Sequence, residues 1–113
     1  KGAMKMIIIN NETKAKKLDD KSFRKILGCG GSLMMAEVHF KAGGIGEPHS
    51  HADHEQVSYI VKGSFKVTVG GEEKILHQGD SFYAAKNVEH GVVALEDSII
   101  LDVFTPIRED FLE

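Results

Sequence analysis

The sequence has few of the features that mark a secreted or membrane protein. It contains a single cysteine, Cys29, which excludes an internal disulfide and is typical of a protein from a reducing compartment. No stretch approaches the roughly 18 consecutive apolar residues of a membrane-spanning helix. The apolar residues 6–9 are too few for the core of a signal peptide. We therefore expect a cytoplasmic protein with no membrane partner.

An excess of charge of one sign is also lacking. The chain has 14 lysines and arginines against 17 acidic residues, a formal net charge of −3. This balance gives no electrostatic reason to expect nucleic acid or an anionic membrane as a partner, and no segment resembles a helix-turn-helix. A length of 113 residues suits one domain with one core. We expect an N-terminal arm over residues 1–20, beginning with an expression scar (KGAM), and a single domain over 21–113.

Short apolar runs recur along the chain at a spacing of about ten residues and are separated by glycine or polar turns. The runs are SFRKILG, SLMMAEVHF, EQVSYIVK, SFKVTVG, EKILHQ, DSFYAA, HGVVAL and SIILDVF. Runs of this length and composition predict an all-β sandwich or barrel. Gly70 and Gly71 are typical of a two-residue hairpin turn. The only helical signal is a turn or two after Pro106.

The last predicted strand is apolar on both faces. One face carries Ile99, Leu101 and Val103, and the other carries Ile100, Asp102 and Phe104. One face would line the barrel, while the other needs cover from a second sheet or a partner subunit. We therefore expect a homodimer.

Histidines are concentrated in the segment HSHADHEQ. His49 and His51 are two residues apart, so on an extended segment their side chains leave the same face. With His90 some forty residues later, and a carboxylate or amide nearby, they make a candidate site for a divalent metal ion. Imidazole suits Zn, Ni, Fe or Cu, and oxygen ligands extend the choice to Mn. Taken alone, H-x-H is more typical of a histidine-rich surface loop than of a metal site.

The residues alone leave the fourth metal ligand open between Glu55 and Gln56. Strand alternation favours Glu55, which would share a face with Val57, Tyr59 and Val61, three residues that look like core. Because both faces of the predicted sheet are apolar, this argument does not decide between the two candidates.

The segment GGIGEPHSHADHEQVSYIVKG resembles the first motif of the cupin family. That motif has a glycine, five residues, H-x-H, an acid or glutamine, and a closing glycine, and here Gly43, His49, His51 and Gly63 match it. Gln56 stands six residues before Gly63, as the family's fourth ligand does. The resemblance therefore implies Gln56 rather than Glu55.

The segment GDSFYAAKNVEHGV resembles the second cupin motif, in which a histidine follows a glycine by eleven positions, as His90 follows Gly79. Ala85, Asn87 and Ala94 depart from it, because the family usually has proline, glycine and asparagine there. Together the two motifs imply the cupin fold, a double-stranded β-helix or jelly-roll barrel, here with a short C-terminal helical turn.

The ending DVF-x-P-x-REDF narrows the resemblance to the pectin-degradation cupins. These convert cyclic 4,5-unsaturated uronates, the sugar acids released by pectin and alginate lyases, to linear 5-keto-4-deoxyuronate in a reaction without redox change. The resemblance implies one divalent ion (Ni, Zn, Mn or Fe) and these ligands: His49, His51, Gln56 and His90. Three further residues fall on active-site positions: Asp102, Phe104 and Arg108.

The residue types agree with these roles. A carboxylate such as Asp102 in an otherwise apolar barrel needs a partner or a role in proton transfer. Phe104 offers a flat face to a sugar ring, and Arg108 offers a bidentate fork to a carboxylate. The alternative to these functional roles is an ordinary last strand with a core phenylalanine and a surface arginine.

Three alternatives of other classes stay open: a sugar-sensing cupin without activity, a metal-dependent dioxygenase, and a structural metal-binding module. A neutral set of three imidazoles and an amide would leave the ion its full charge. We expect His54 and Glu55 outside the ligand set, and ordinary structural roles for Cys29, His39 and His77.

Overall fold

The structure is a computed structural model that describes residues 5–112, so the KGAM segment that we expected to be an expression scar lies outside the described residues. A 3₁₀ turn at Asn10–Glu12 precedes ten strands, and another at Glu109–Leu112 follows them. The strands are β1 (Lys16–Asp19), β2 (Ser22–Gly30), β3 (Leu33–Phe40), β4 (Ile45–His49), β5 (Glu55–Lys62), β6 (Ser64–Val69), β7 (Glu72–His77), β8 (Ser81–Ala84), β9 (His90–Ala94) and β10 (Ser98–Thr105).

The strands form two antiparallel sheets that pack face to face. The larger sheet has the order β1-β2-β3-β10-β5-β8, and the smaller has the order β4-β9-β6-β7. Phe65 and Val67 of the smaller sheet pack against Ile60 and Ile100 of the larger one, and all four are nearly inaccessible to solvent. Burial of this apolar surface between the sheets is the main stabilising contribution to the fold. The predicted all-β jelly roll with a short C-terminal helical turn is confirmed.

The apolar runs in the sequence became strands wherever they had a face to bury. All eight runs form strands, namely β2, β3 and β5 to β10. The predicted hairpin is also present: Gly70 and Gly71 have φ of +57° and +85°, and they join β6 to β7 with Val69 opposite Glu72. Both glycines have the positive φ that a two-residue turn between right-twisted strands requires.

Two strands have no hydrophobic signal in the sequence. β1 lies within the segment that we expected to be an arm, and all of its side chains are exposed where it pairs with β2. Asp19 shapes the turn between them, because its Oδ1 accepts hydrogen bonds from the Lys21 amide and the Ser22 hydroxyl at 2.8 and 2.9 Å. β4 is mostly exposed and contains a glycine and a proline. Both strands are held by backbone pairing at a sheet edge, which leaves no alternating pattern to detect.

The closing glycine of the first motif, Gly63, is required by a close approach of two chain segments. Its φ is +79°, and a Cβ atom there would overlap the hydroxyl of Ser98 and lie 2.8 Å from the Asp97 carbonyl oxygen. That hydroxyl accepts a hydrogen bond from the Ser64 amide at 3.0 Å. Glycine therefore lets β5 turn tightly into β6 against the start of β10.

The alternation predicted for β10 is confirmed. Ile100 and Phe104 are buried with 3% and 2% exposure, and Asp102 lies on the same inner face. Leu101 and Val103 lie on the outer face and are only partly buried.

The prediction that the apolar residues of β5 belong to the core is wrong. These residues lie on the outer face with 48%, 46% and 36% exposure: Val57, Tyr59 and Val61. The inner face carries Gln56, Ser58 and Ile60, all of which are buried. Because the inner end of the strand lines a polar site, hydrophobicity marks the outer face of β5 instead. Within residues 5–112, no helix has the length and hydropathy of a membrane span.

Candidate metal centre and active site

Three histidines converge at one end of the barrel. His49 ends β4 and His90 begins β9, and the two strands pair with these residues opposite one another. His51 follows in the loop after β4. One ring nitrogen from each histidine lies within 4.8 Å of the other two. The structure therefore brings together three residues that the sequence separates by up to 41 positions, in a group that could hold a metal ion.

Backbone carbonyls orient two of the three rings. His49 Nδ1 lies 2.7 Å from the Glu47 carbonyl oxygen, and His90 Nδ1 lies 3.0 Å from that of Val88. A carbonyl oxygen only accepts, so each Nδ1 carries the proton and each Nε2 keeps its lone pair. Among residues 5–112, Nε2 of His90 is the one buried side-chain nitrogen or oxygen without a hydrogen-bond partner. A divalent cation would satisfy this buried lone pair, so the donor set fits a metal ion.

The surroundings of His51 and His90 favour the neutral form of these two imidazoles. Burial, followed by repulsion from Arg108, lowers the pKa of His51 to about 4. Burial also lowers the pKa of His90. Neutral imidazole is the form that binds metal ions, so these two rings are available at neutral pH. Arg108 Nη1 donates to His51 Nε2 at 3.2 Å, so the guanidinium and an ion would compete for the same lone pair.

A chain of hydrogen bonds orients Gln56. Its Nε2 donates to the Ser58 hydroxyl at 2.9 Å, and that hydroxyl donates to Asp102 Oδ1 at 2.6 Å. Because serine has one proton and gives it to the carboxylate, its oxygen can only accept from the amide. The Nε2 end of Gln56 is therefore held towards Ser58, which leaves Oε1 free to act as a ligand.

The two candidates for the fourth ligand lie on opposite faces of β5. Gln56 lines the cavity that also contains His49 and His90. Glu55 is directed elsewhere, because its Oε1 accepts a hydrogen bond from the Tyr83 hydroxyl at 2.6 Å. Strand alternation had grouped Glu55 correctly with the apolar face, but that face is the outer one.

The cavity beside the histidines has a volume of about 150 Å³. Its lining includes six of the seven predicted site residues: His49, Gln56, His90, Asp102, Phe104 and Arg108. The seventh, His51, contacts the site through Arg108. Arg24 and Phe111 also line the cavity. Neither was assigned to the site from the sequence: Arg24 lies in a strand with no motif, and Phe111 ends the motif DVF-x-P-x-REDF but was given no role.

The carboxyl group of Asp102 is deeply enclosed, although part of the residue is accessible through the cavity. Burial raises the pKa of Asp102 to about 6, and the hydrogen bond from Ser58 opposes this rise. A carboxyl group that titrates near pH 6 can both accept and donate a proton near neutrality. Asp102 could therefore serve as a general acid and base.

Phe104 and Arg108 form one wall of the cavity. The Phe104 ring is 2% exposed and packs against Met34 and Ala36, so only its cavity side can meet a ligand. The Arg108 side chain is 15% exposed and forms an ion pair with Asp110, with 2.9 Å between Nη2 and Oδ2. This largely buried guanidinium is placed to receive an anion from the cavity.

The departure from the family pattern at Asn87 does not change the backbone there. Asn87 has a φ of +67°, the left-handed conformation that a glycine would adopt readily and that asparagine tolerates better than most residues. Its amide donates to the His51 carbonyl oxygen at 2.6 Å. The loop before β9 therefore still supports the histidine loop.

The family Cupin_2, described as "Cupin domain", matches residues 36–104. The pectin degradation protein KdgF of Dickeya dadantii (strain 3937) is 46% identical over 110 residues, which cover 96% of this chain and 100% of that protein.

Two solved structures are also close in both sequence and shape. KdgF from Halomonas sp. is 40% identical, with a TM-score of 0.90 and coverage of 93% of this chain and 98% of that one. An RmlC-like cupin from Shewanella frigidimarina NCIMB 400 is 37% identical, with a TM-score of 0.91 and coverage of 95% and 96%.

The buried carboxyl of Asp102 should reduce the stability of the metal-free protein above pH 6. A shift of its pKa from 3.8 to about 6 corresponds to about 3 kcal/mol of unfolding free energy. The folded state holds its proton more tightly than the unfolded state does. The resulting contribution to stability is fully present below pH 3.8 and is lost as the pH rises through 6. Asp102→Asn, whose side chain is never charged, should therefore have an unfolding free energy about 3 kcal/mol higher than that of the wild type at pH 8.

The measurement is urea unfolding of chelator-treated protein between pH 4.5 and pH 8. The advantage of Asp102→Asn should shrink as the pH falls towards 4.5. Equal stability at pH 8, or an advantage that grows as the pH falls, would show that the carboxyl is not destabilised by burial.

Proposed function

The chain belongs to the cupin family, within the group that includes the pectin degradation protein KdgF, and from this premise we propose that it is a metal-dependent enzyme that opens cyclic 4,5-unsaturated uronates to linear 5-keto-4-deoxyuronate. The observation that carries the proposal is the convergence of three kinds of group on one small cavity. These are the imidazoles with a neutral amide, a carboxyl with a pKa of about 6, and a largely buried guanidinium. The single cysteine agrees with our proposal of a cytoplasmic enzyme.

The cavity is suited to a small sugar acid. A volume of about 150 Å³ is small among ligand sites and favours a single sugar ring over an oligosaccharide. The guanidinium of Arg108 would pair with the uronate carboxylate, because the fork of two N–H groups matches the two carboxylate oxygens. The cavity side of Phe104 would pack against one face of the ring.

One divalent ion (Ni, Zn, Mn or Fe) would be held by these residues: His49, His51, Gln56 and His90. When bound, the ion supplies a full positive charge for polarising a substrate oxygen, because all four ligands are neutral. Ser58 and the carbonyls of Glu47 and Val88 would orient three of the ligands from behind.

The reaction is an isomerisation in which one proton moves from the anomeric hydroxyl to C4. The bond between C1 and the ring oxygen breaks, C1 becomes an aldehyde, C5 becomes a ketone, and no electrons are exchanged with another reactant. Asp102 would accept the hydroxyl proton and deliver it to C4, acting first as base and then as acid. Ser58 occupies Oδ1 of that carboxylate, which leaves Oδ2 for the moving proton.

The activity can be tested by the absorbance of the conjugated alkene in 4,5-unsaturated galacturonate. Metal-loaded wild-type protein should accelerate its loss over the spontaneous rate, and Asp102→Asn should lower kcat by about 100-fold or more, because it removes the proton carrier. Lys66→Gln, an exposed change on β6, should leave the rate unaltered.

A wild-type rate equal to the spontaneous one would refute the enzymatic proposal. Stoichiometric oxygen uptake, followed with an oxygen electrode in the same assay, would favour a dioxygenase instead.

Metal content should distinguish Gln56 from Glu55. Gln56→Ala should weaken metal binding by about tenfold or more, by analogy with the loss of groups that support a metal site. Glu55→Ala, which changes the neighbouring residue on the outer face, should bind metal as the wild type does. Elemental analysis after reloading at limiting metal measures both, and the reverse order would assign the ligand to Glu55.

We also propose that the chain forms a homodimer through the outer face of its larger sheet. In this face Val57 lies between Val103 and Tyr83 on the neighbouring strands, and Tyr59 lies beside Leu101. Val57, Tyr59 and Tyr83 are each about half exposed. Two carboxylates border the patch, Glu55 at the Tyr83 hydroxyl and Glu37 opposite Leu101. A second copy would bury the apolar centre of the patch with identical chemistry on both sides.

Val57→Glu should therefore shift the protein from dimer to monomer, because the dimer would bury two unpaired carboxylates. Ile75→Glu is the matched control, since Ile75 is 55% exposed on β7 of the smaller sheet. Sedimentation velocity at micromolar concentration measures the state of each protein. A monomeric wild type, or equal dissociation by both variants, would contradict the assignment of this face.

A further inference from the structure

The two arginines of the chain lie against the same phenyl ring. Twelve of its fourteen basic residues are lysines, and the others are Arg24 and Arg108. The Cζ atoms of these arginines lie 3.6 and 4.0 Å from the ring centroid of Phe111. A planar guanidinium stacks on an aromatic face, whereas an ammonium has no flat surface to stack. Arginine thus occurs in this chain only where this geometry requires it.

The three side chains come from distant parts of the sequence. Arg24 is in β2, while Arg108 and Phe111 are in the tail after β10, where Phe111 belongs to the last 3₁₀ turn. The Phe111 ring also packs edge-on against Phe104, with 5.6 Å between centroids. The ring is therefore anchored in the barrel and holds both cations at the cavity that contains Asp102.

The charges of this group are not balanced within the protein. Arg108 has a carboxylate partner in Asp110. Arg24 has neither a carboxylate within 4.0 Å nor a side-chain hydrogen bond to any residue between 5 and 112. Burial, followed by repulsion from Arg108, lowers the pKa of Arg24, and attraction to Asp110, whose carboxylate is already paired with Arg108, opposes this only in part. A partly buried cation beside a second cation is costly unless an anion joins them.

We propose that Arg24 is a second anion-contacting residue of this site, and that with Arg108 it forms a two-guanidinium clamp for the carboxylate of a sugar acid. The choice of a sugar acid rests on the proposed function, whereas the need for an anion rests on the geometry of Arg24. Because both Cζ atoms lie within 4.0 Å of one ring centroid, the two guanidinium groups lie on opposite faces of Phe111. Phe111 is thus a positioning residue that sets the separation that the carboxylate would bridge at the edge of the ring. The clamp would explain how a small cavity selects the charged sugar over its neutral parent.

The clamp should have the kinetic signature of uniform binding. A carboxylate keeps its charge from substrate to product, so its contacts are equally strong in the ground state and the transition state. Loss of Arg24 should therefore raise KM for an unsaturated uronate and leave kcat within a few-fold of the wild type. A residue that was needed only for folding would not produce this split.

The direct test measures binding with a probe that lacks the 4,5 double bond and therefore cannot be converted to a 5-keto product. D-Galacturonate, which is saturated, and its uncharged methyl ester are titrated calorimetrically into the metal-loaded protein. Arg24→Gln should weaken galacturonate binding by about 10- to 100-fold, as expected for a lost charged hydrogen bond. Binding of the methyl ester should be unchanged. Arg24→Lys should also bind galacturonate less tightly, because an ammonium cannot stack on Phe111.

Controls separate the clamp from general damage. Lys66→Gln removes the same charge from an exposed strand position and should bind both probes as the wild type does. Phe111→Leu keeps both cations but removes the ring. This variant should bind galacturonate more weakly and should keep its affinity for the methyl ester. If circular dichroism shows that Arg24→Gln is unfolded, Arg24→Lys is used for the binding test instead.

The clamp and the proposed reaction fail in different ways. Unchanged galacturonate affinity in Arg24→Gln or a parallel loss of the ester would overturn the clamp, as would a wild type that does not distinguish the two probes. A selective loss of galacturonate binding in a protein that does not accelerate uronate linearisation would support the clamp and refute the reaction.

Discussion

The register between β5 and β10 is the constraint on which the site depends. It places Asp102 opposite Ser58 and Phe104 opposite Gln56, all on the inner face of the larger sheet. A slip of β5 by one residue would turn Gln56 and Ser58 outward and bring the apolar outer residues of that strand into the barrel. The short hydrogen bond from Ser58 to Asp102 is possible only in this register. The register also affects the candidate metal site, because Ser58 orients the amide of Gln56.

The barrel divides its interior between stability and chemistry. One end is filled by an apolar cluster that includes Ile60, Phe65 and Ile100, and the other end contains the imidazoles and the carboxyl of Asp102. Burial of that carboxyl opposes folding at neutral pH, but it is also what brings its pKa to about 6. The apolar end offsets this cost, so that the polar end can keep groups that a stability-optimised core would exclude.

The C-terminal tail completes the site. The His54 ring lies 3.2 Å from the Ile107 carbonyl oxygen, which ties the histidine loop to the tail. Phe111 then packs on Phe104 and contacts both arginines. The tail therefore joins the candidate metal centre to the candidate anion site, although its own secondary structure is a single 3₁₀ turn.

The sequence by itself determined which segments could be strands and which residues could be ligands. Eight apolar runs, the Gly70–Gly71 hairpin and the cupin spacing of His49, His51 and His90 are local patterns, set by residue type and chain distance. Only the tertiary structure decided which face of β5 points inward, because both faces of that sheet can be covered and local hydrophobicity does not distinguish them. It also decided that β1 and β4 are strands and that Arg24 meets Arg108. Edge pairing and contacts between distant side chains depend on how the sheets close, which leaves no periodic signal along the chain.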